Sequence, residues 1–173
     1  MIKYTPNTRS MLTIKSLFLW LCISLAIMSC GDKDADKKTA EPVAIPTLNE
    51  KNSDAFTLNF GHDYYTQLEA LVKALNKYQQ ANDQFGFVHY RNNIWTPKYI
   101  KSKNFYQAVL QKNQSYLSKT TIKPLFDRFE NLIYIGINLK HAFLDDNQDL
   151  MDKTFAEIDH DKKIVATVLE SAK

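Results

Sequence analysis

The sequence predicts an all-α fold, an antiparallel four-helix bundle, and two observations support this prediction. Apolar residues recur at steps of three and four along four segments, which is the spacing of one helix face. Those segments are similar in length and are joined by short connections, as in antiparallel bundles. Glycine is rare, with 4 in 173 residues, so neither a phosphate-binding loop nor a dinucleotide-binding turn can be built.

Residues 1–29 have the three parts of a secretory signal peptide. Basic residues precede an apolar stretch over residues 16–28, and small Ser29 comes directly before Cys30. The apolar stretch is shorter than the roughly 20 residues that cross a bilayer, so no permanent transmembrane helix is predicted. Ile27-Met28-Ser29-Cys30 resembles the cleavage and lipidation site of bacterial lipoproteins. The resemblance implies that Cys30 carries lipid, including acyl chains such as palmitate, and that the protein is anchored in the cell envelope.

Residues 30–55 are predicted to be the lipidated cysteine and a disordered tether, because they contain few apolar residues to bury. Gly31 resembles the outer-membrane sorting choice of enteric lipoproteins, which predicts an outer-membrane location facing the periplasm or the cell surface. The acidic run from Asp32 to Asp36 resembles a surface-export signal of some bacterial lipoproteins. A solvated spacer explains the same run equally well.

The net charge changes when the signal peptide is removed. Lys3, Arg9 and Lys15 leave with it, so the 22 basic residues become 19 and equal the 19 acidic residues. A neutral mature chain gives no reason to expect nucleic acid as a partner. Cys22 also leaves and Cys30 is acylated, so no disulfide, thiolate nucleophile or cysteine-ligated metal site is predicted.

Residues 56–173 are predicted to form one helical bundle domain. Phe56, Leu58 and Phe60 alternate, which predicts a short extended arm. The first helix is predicted to follow Gly61-His62-Asp63 and to continue past Phe85 towards Arg91. Thr96-Pro97 predicts the start of a second helix, with threonine as the cap and proline in the first turn. The predicted inner face of this helix consists of Tyr99, Tyr106, Val109, Leu110, Tyr116 and Leu117.

The third helix has the clearest pattern and is predicted to be the most buried. Pro124 lies in its first turn, and its apolar seam is Ile122, Leu125, Phe129, Leu132, Gly136, Leu139 and Phe143. Gly136 costs about 1 kcal/mol of helix propensity, which predicts that a ring or backbone packs against it. The fourth helix is predicted to begin near Asp145-Asp146-Asn147. Its inner stripe is Met151, Phe155, Ile158, Val165 and Leu169.

A basic and aromatic stretch around the second helix is the main candidate for a binding surface. Seven basic residues and no acid lie between Gln84 and Phe126, whereas residues 145–161 carry seven acids and one base. Cations interleaved with rings favour binding to an envelope protein, an acidic glycan or a lipid headgroup. The candidate binding residues are Arg91, Trp95, Lys98, Tyr99, Lys101 and Lys103. The alternative interpretation places the rings in the core and leaves the lysines as a solvated face.

The remaining candidate site is Glu157-x-x-His160, a spacing that di-iron bundles use because it puts both side chains on one helix face. A second copy of the motif is missing, since the residues three before the other histidines are not glutamate. We therefore predict a non-enzymatic binding module with no catalytic residue, cofactor or metal. A metal-binding or enzymatic bundle that uses Glu157 and His160 is the alternative.

Overall fold

A computed structural model describes residues 44–172 of the chain. The predicted signal peptide, Cys30 and the first part of the tether lie outside the described residues. Within residues 44–172 every regular element is helical, which confirms the all-α prediction. No described helix is long and apolar enough to cross a membrane. The elements are α1 (Ser53–Gln80), α2 (Gln84–Tyr90), a π-helix (Arg91–Trp95), α3 (Thr96–Lys112), α4 (Gln114–Leu117), α5 (Lys123–Leu144) and α6 (Gln148–Glu170).

Helix α1 begins earlier than the sequence pattern predicted. The predicted extended arm is wrong, because Phe56, Leu58 and Phe60 all lie in the first turns of α1. Phe56 and Phe60 are one helical turn apart, and their ring centroids lie 5.8 Å from each other, whereas Leu58 is exposed. Three apolar residues at alternate positions are therefore compatible with an extended strand and equally with a helix in which the middle residue faces solvent.

The segment before α1 is packed against the C-terminal end of α3. Leu48 is buried, and its backbone N–H donates to Asn113 Oδ1 over 2.7 Å. The Asn113 amide donates in turn to the Pro46 carbonyl oxygen over 3.0 Å, and Lys112 Nζ donates to the Ile45 carbonyl oxygen over 2.6 Å. Residues 45–48 are therefore held on α3, and the predicted boundary at residue 56 lies inside α1.

The second long helical segment is continuous from α2 through the π-helix into α3. The first helix stops at Gln80, not near Arg91 as predicted, because Asn82 turns the chain with a φ of 50° and Asp83 caps α2. Thr96 is not a helix cap, since its hydroxyl donates to the Arg91 carbonyl oxygen over 2.7 Å in the middle of the segment. Pro97 has no N–H and its ring crowds the preceding turn, so the wider π-turn just before it accommodates the proline.

Helix α5 lies at the centre of the core, as predicted. Six of the seven predicted seam residues are buried, and Phe143 is partly buried. A Cβ added at Gly136 would lie 3.2 Å from Trp95 Cζ3, so a ring does pack against this glycine. Helix α6 begins where predicted, and the Asn147 side chain caps it by accepting from the Leu150 N–H over 2.9 Å.

Contacts between helices fix their relative directions. Phe60 stacks on Tyr106 at 3.7 Å, while Trp95, which precedes α3, donates to the Gln67 carbonyl oxygen, so α1 and α3 run in opposite directions. Thr121 and Ser171 meet at the end of the domain where residues 45–48 join α3. The opposite end contains the last turn of α1, the end of α5 and the start of α6.

Candidate functional site

Three of the predicted binding residues belong to the core. Trp95 and Tyr99 are each 1% exposed, and their rings stack with centroids 5.1 Å apart. The Tyr99 hydroxyl donates to the Glu130 carbonyl oxygen over 3.1 Å. Arg91 is buried as well, and its guanidinium donates to Asn92 Oδ1 over 2.9 Å, while burial lowers its pKa. These side chains hold α3 and the π-helix on the bundle, and their charge and rings are not offered to a surface ligand.

The predicted lysines are the part of the stretch that reaches solvent. Lys98 and Lys101 are exposed, and neither forms an ion pair with any carboxylate in residues 44–172. Lys103 differs, because its ammonium pairs with Glu130 at 2.9 Å. On a helix with 3.6 residues per turn, positions 98, 101, 105 and 112 fall within about 60° of one another. We refer to Lys98, Lys101, Phe105 and Lys112 as the α3 face.

A surface groove of ≈ 600 Å³ runs beside the α3 face, between α1 and α3. Its volume falls in the range of about 300–1,000 Å³ that is usual for ligand sites. Asp63 is the carboxylate in its lining, and it accepts a hydrogen bond from the Tyr106 hydroxyl over 2.6 Å. Burial, followed by this bond, raises the pKa of Tyr106. The groove is lined by Ile45, Asp63, Gln67, Lys98, Lys101, Ser102, Asn104, Phe105 and Tyr106.

A second groove, of ≈ 720 Å³, lies between α1 and α6. Apolar side chains including Leu68, Val72 and Phe155 line its interior. Its charged residues are of both signs, with three lysines and two carboxylates, so it has little preference for an anion. These charged residues are Glu69, Lys73, Lys77, Asp159 and Lys162.

Glu157 takes part in a polar cluster between α5 and α6 that sequence reasoning did not find. Asn131 Nδ2 donates to Glu157 Oε1 over 2.8 Å and to Asp161 Oδ2 over 2.9 Å. Asp161 is fully buried, and its other carboxylate oxygen pairs with Arg128 at 2.8 Å. The pair raises the pKa of Arg128. His160 is exposed and takes part in none of the hydrogen bonds of this cluster.

The hydroxyl of Tyr64 is buried close to this cluster and has no hydrogen-bond partner among the described residues. Burial, followed by the charge of Asp161, raises the Tyr64 pKa, so the ring stays neutral. No group of three or more histidine, cysteine or acidic side chains suited to a metal ion occurs within residues 44–172. The sequence did hold a signal for the cluster, because Asp161 falls between Ile158 and Val165 on the apolar stripe of α6.

Comparison of this chain with protein-family models, curated proteins and solved structures gave no match. Two sets of charged residues in the domain are candidates for a function: the polar cluster between α5 and α6, and the lysines of the α3 face. The carboxylates of the polar cluster accept hydrogen bonds within the domain, whereas Lys98 and Lys101 on the α3 face offer positive charge to the outside.

Proposed function

We propose that this protein is a lipid-anchored bacterial envelope lipoprotein whose helical domain is a non-enzymatic binding module. Its partner is an anionic component of the envelope, either an envelope protein, an acidic glycan or a lipid headgroup. The observation that supports the binding role is the exposure of Lys98 and Lys101 beside a groove, without a carboxylate partner in the described part of the chain. Unneutralised cations at a concave surface attract and orient an anionic partner.

The anchor is proposed from Cys30 and the residues before it, which lie outside the described residues. Expression with labelled palmitate tests this part directly. The wild-type chain should incorporate the label and sediment with the envelope, because acyl chains bury about 0.8 kcal/mol per methylene. Cys30→Ala should lose the label and keep its signal segment. Labelling that persists in Cys30→Ala would exclude this anchor.

The architecture that we propose for the domain is an antiparallel four-helix bundle, in which α2, the π-helix and α3 serve as one helix. The opposite directions of α1 and α3 support this arrangement. So do the contacts between α5 and α6, where Arg128 pairs with Asp161 while Asn131, further along α5, reaches back to Glu157. The bundle presents the α3 face along one side of the domain.

Charge reversal of the α3 face tests the binding role. Lys98→Glu/Lys101→Glu should release a partner that the wild-type protein retains from a detergent-solubilised envelope, and salt should weaken the wild-type complex. Arg91 and Lys103 are left unchanged, because one is buried and the other pairs with Glu130. The matched control is Lys73→Glu/Lys162→Glu, which makes the same charge change at the groove between α1 and α6. Equal retention by both double variants would contradict the proposal.

A second candidate function is a metal-binding or enzymatic bundle that uses Glu157 and His160. The buried polar cluster favours it, because Glu157 and Asp161 share the Asn131 amide close to the unpartnered hydroxyl of Tyr64. Elemental analysis of protein purified without added metal discriminates between the two functions. Stoichiometric iron or zinc that is lost in His160→Ala would favour the metal function over the binding module.

A further inference from the structure

We infer that the anionic partner of the α3 face is the headgroup surface of the membrane that carries the anchor, so that the domain lies against its own membrane along α3. The inference rests on the proposed lipid anchor at Cys30. It names the ligand chemistry as the phosphate of anionic phospholipids, presented as a continuous surface. Three features of the domain lead to it: the place where the chain reaches α3, the composition of the α3 face and the position of the acidic residues.

The chain coming from Cys30 reaches the domain directly beside the α3 face. Ile45 lines the groove next to Lys98 and Lys101, and its carbonyl oxygen accepts from Lys112 of the same face over 2.6 Å. Residues 30 to 44 span 14 peptide units, which extend at most about 50 Å. The anchor therefore keeps the α3 face within reach of the membrane surface.

The composition of the α3 face suits an anionic lipid surface better than a narrow pocket. Its lysines are spread over almost four turns of α3, so they can meet several separate phosphates. Phe105 is partly buried and lies among them, where its ring can contact the interface while the lysines remain hydrated. Each lysine near an anionic membrane favours the bound state by roughly fivefold, so Lys98 and Lys101 together contribute roughly 30-fold.

Four exposed acidic residues lie where this orientation keeps them away from the membrane. Asp145, Asp146, Asp149 and Asp152 are exposed at the start of α6, at the opposite end of the domain from the place where residues 45–48 join α3. An anionic surface repels that end and attracts the α3 face. The charge distribution therefore selects one orientation from those that the tether allows.

A fluorescence experiment on the lipidated protein tests the orientation. The protein is reconstituted into vesicles of phosphatidylcholine, with or without phosphatidylglycerol, and carries a polarity-sensitive probe on Asn104→Cys beside the α3 face. Asn104 is exposed and Gln79, near the end of α1, is also exposed, so Gln79→Cys provides the control position. After the signal peptide is removed Cys30 is the one native cysteine and it is acylated, so the introduced thiol is labelled alone.

We expect a blue shift of the probe at position 104 with phosphatidylglycerol, little shift with phosphatidylcholine alone and none at position 79. Lys98→Glu/Lys101→Glu should abolish the shift, whereas Lys73→Glu/Lys162→Glu should preserve it. About 1 M salt should also abolish it, because screening then acts within about 3 Å. Addition of inorganic phosphate at the same ionic strength should leave the shift in place, which distinguishes a membrane surface from a free phosphate site.

A probe at position 104 that responds equally with and without phosphatidylglycerol, or equally in both double variants, would overturn the inference. If the membrane has no effect but a protein or glycan is captured through Lys98 and Lys101, the binding module stands and its partner is of another class. If Cys30→Ala still takes up labelled palmitate, the anchor itself is wrong. The two failures are therefore distinguishable.

Discussion

Alkaline pH should destabilise this domain through three buried tyrosines. Tyr64, Tyr99 and Tyr106 are at most 5% exposed, and burial raises the pKa of each above the ordinary value of 10.0. A group whose pKa is raised in the folded state binds its proton more tightly there than in the unfolded chain. Its contribution to stability is therefore complete below pH 10 and is lost as the pH rises above that value.

The size of this loss follows from linkage. In the unfolded chain a tyrosine ionises with a pKa of about 10. By pH 11 the ionisation of one such tyrosine lowers the free energy of unfolding by about 1.4 kcal/mol relative to neutral pH, so the three together lower it by about 4 kcal/mol. Domains of ordinary stability have about 5–15 kcal/mol in total, so the midpoint of urea unfolding should fall steeply between pH 8 and pH 11. Urea titrations at pH 8, 10 and 11 measure the effect.

Tyr99→Phe isolates the contribution of one hydroxyl. At pH 8 it should cost about 1 kcal/mol, because the hydroxyl donates to backbone carbonyl oxygens in the core. Between pH 8 and 11 the variant should lose about 3 kcal/mol where the wild-type protein loses about 4 kcal/mol. Tyr134→Phe is the matched control, since that ring is 59% exposed. A pH dependence that is identical in Tyr99→Phe and wild type would refute the reasoning.

Three further substitutions test the packing. Asp161→Ala should lower the free energy of unfolding, measured in urea, by about 3 kcal/mol, because it removes charge-assisted bonds to Arg128 and Asn131. A loss below about 1 kcal/mol would contradict the buried pair. Gly136→Val should lower the free energy of unfolding by roughly 2–3 kcal/mol, since even a Cβ added there would lie 3.2 Å from a Trp95 ring carbon. Unchanged stability would contradict that contact. Asn113→Ala should lower the free energy of unfolding by about 2 kcal/mol and make residues 45–48 sensitive to limited proteolysis, because the hydrogen bonds to Leu48 and Pro46 are lost. Proteolytic resistance equal to that of the wild-type protein would show that other contacts hold these residues.

The sequence predicted the helical class and the central helix because one strong periodic signal decided both. The seam of α5 extends over six turns, so single exceptions such as Gly136 do not obscure it. The start of α1 was missed because three alternating residues are too few to separate a strand from a helix. The packed segment at residues 45–48 was missed because its order depends on Asn113, which is 65 residues away from Leu48.

The error in the candidate binding residues came from assigning one ring to two patterns. The inner-face pattern of the second helix already contained Tyr99, whereas the interpretation as a surface grouped the same ring with the lysines. In the structure Tyr99 and Trp95 face inward, while Lys98 and Lys101 lie on the outer side of the same turns.

The polar cluster was missed for a different reason. Arg128 and Asn131 belong to α5, whereas Glu157 and Asp161 belong to α6, so their proximity depends on how two helices are aligned. The local pattern shows only an acid on an apolar stripe, which predicts a buried carboxylate without naming its partner. Such a partner becomes visible only when the directions of both helices are known.

Photo-crosslinking from the α3 face in intact envelopes tests the central claim most directly. A photoreactive amino acid in place of Asn104 should form adducts with the mass of anionic phospholipids in the otherwise wild-type lipidated protein. The adducts should disappear with Lys98→Glu/Lys101→Glu and persist with Lys73→Glu/Lys162→Glu. Lipid adducts that are equally abundant in all three backgrounds, or that form in none of them, would contradict the docking of the α3 face on the membrane.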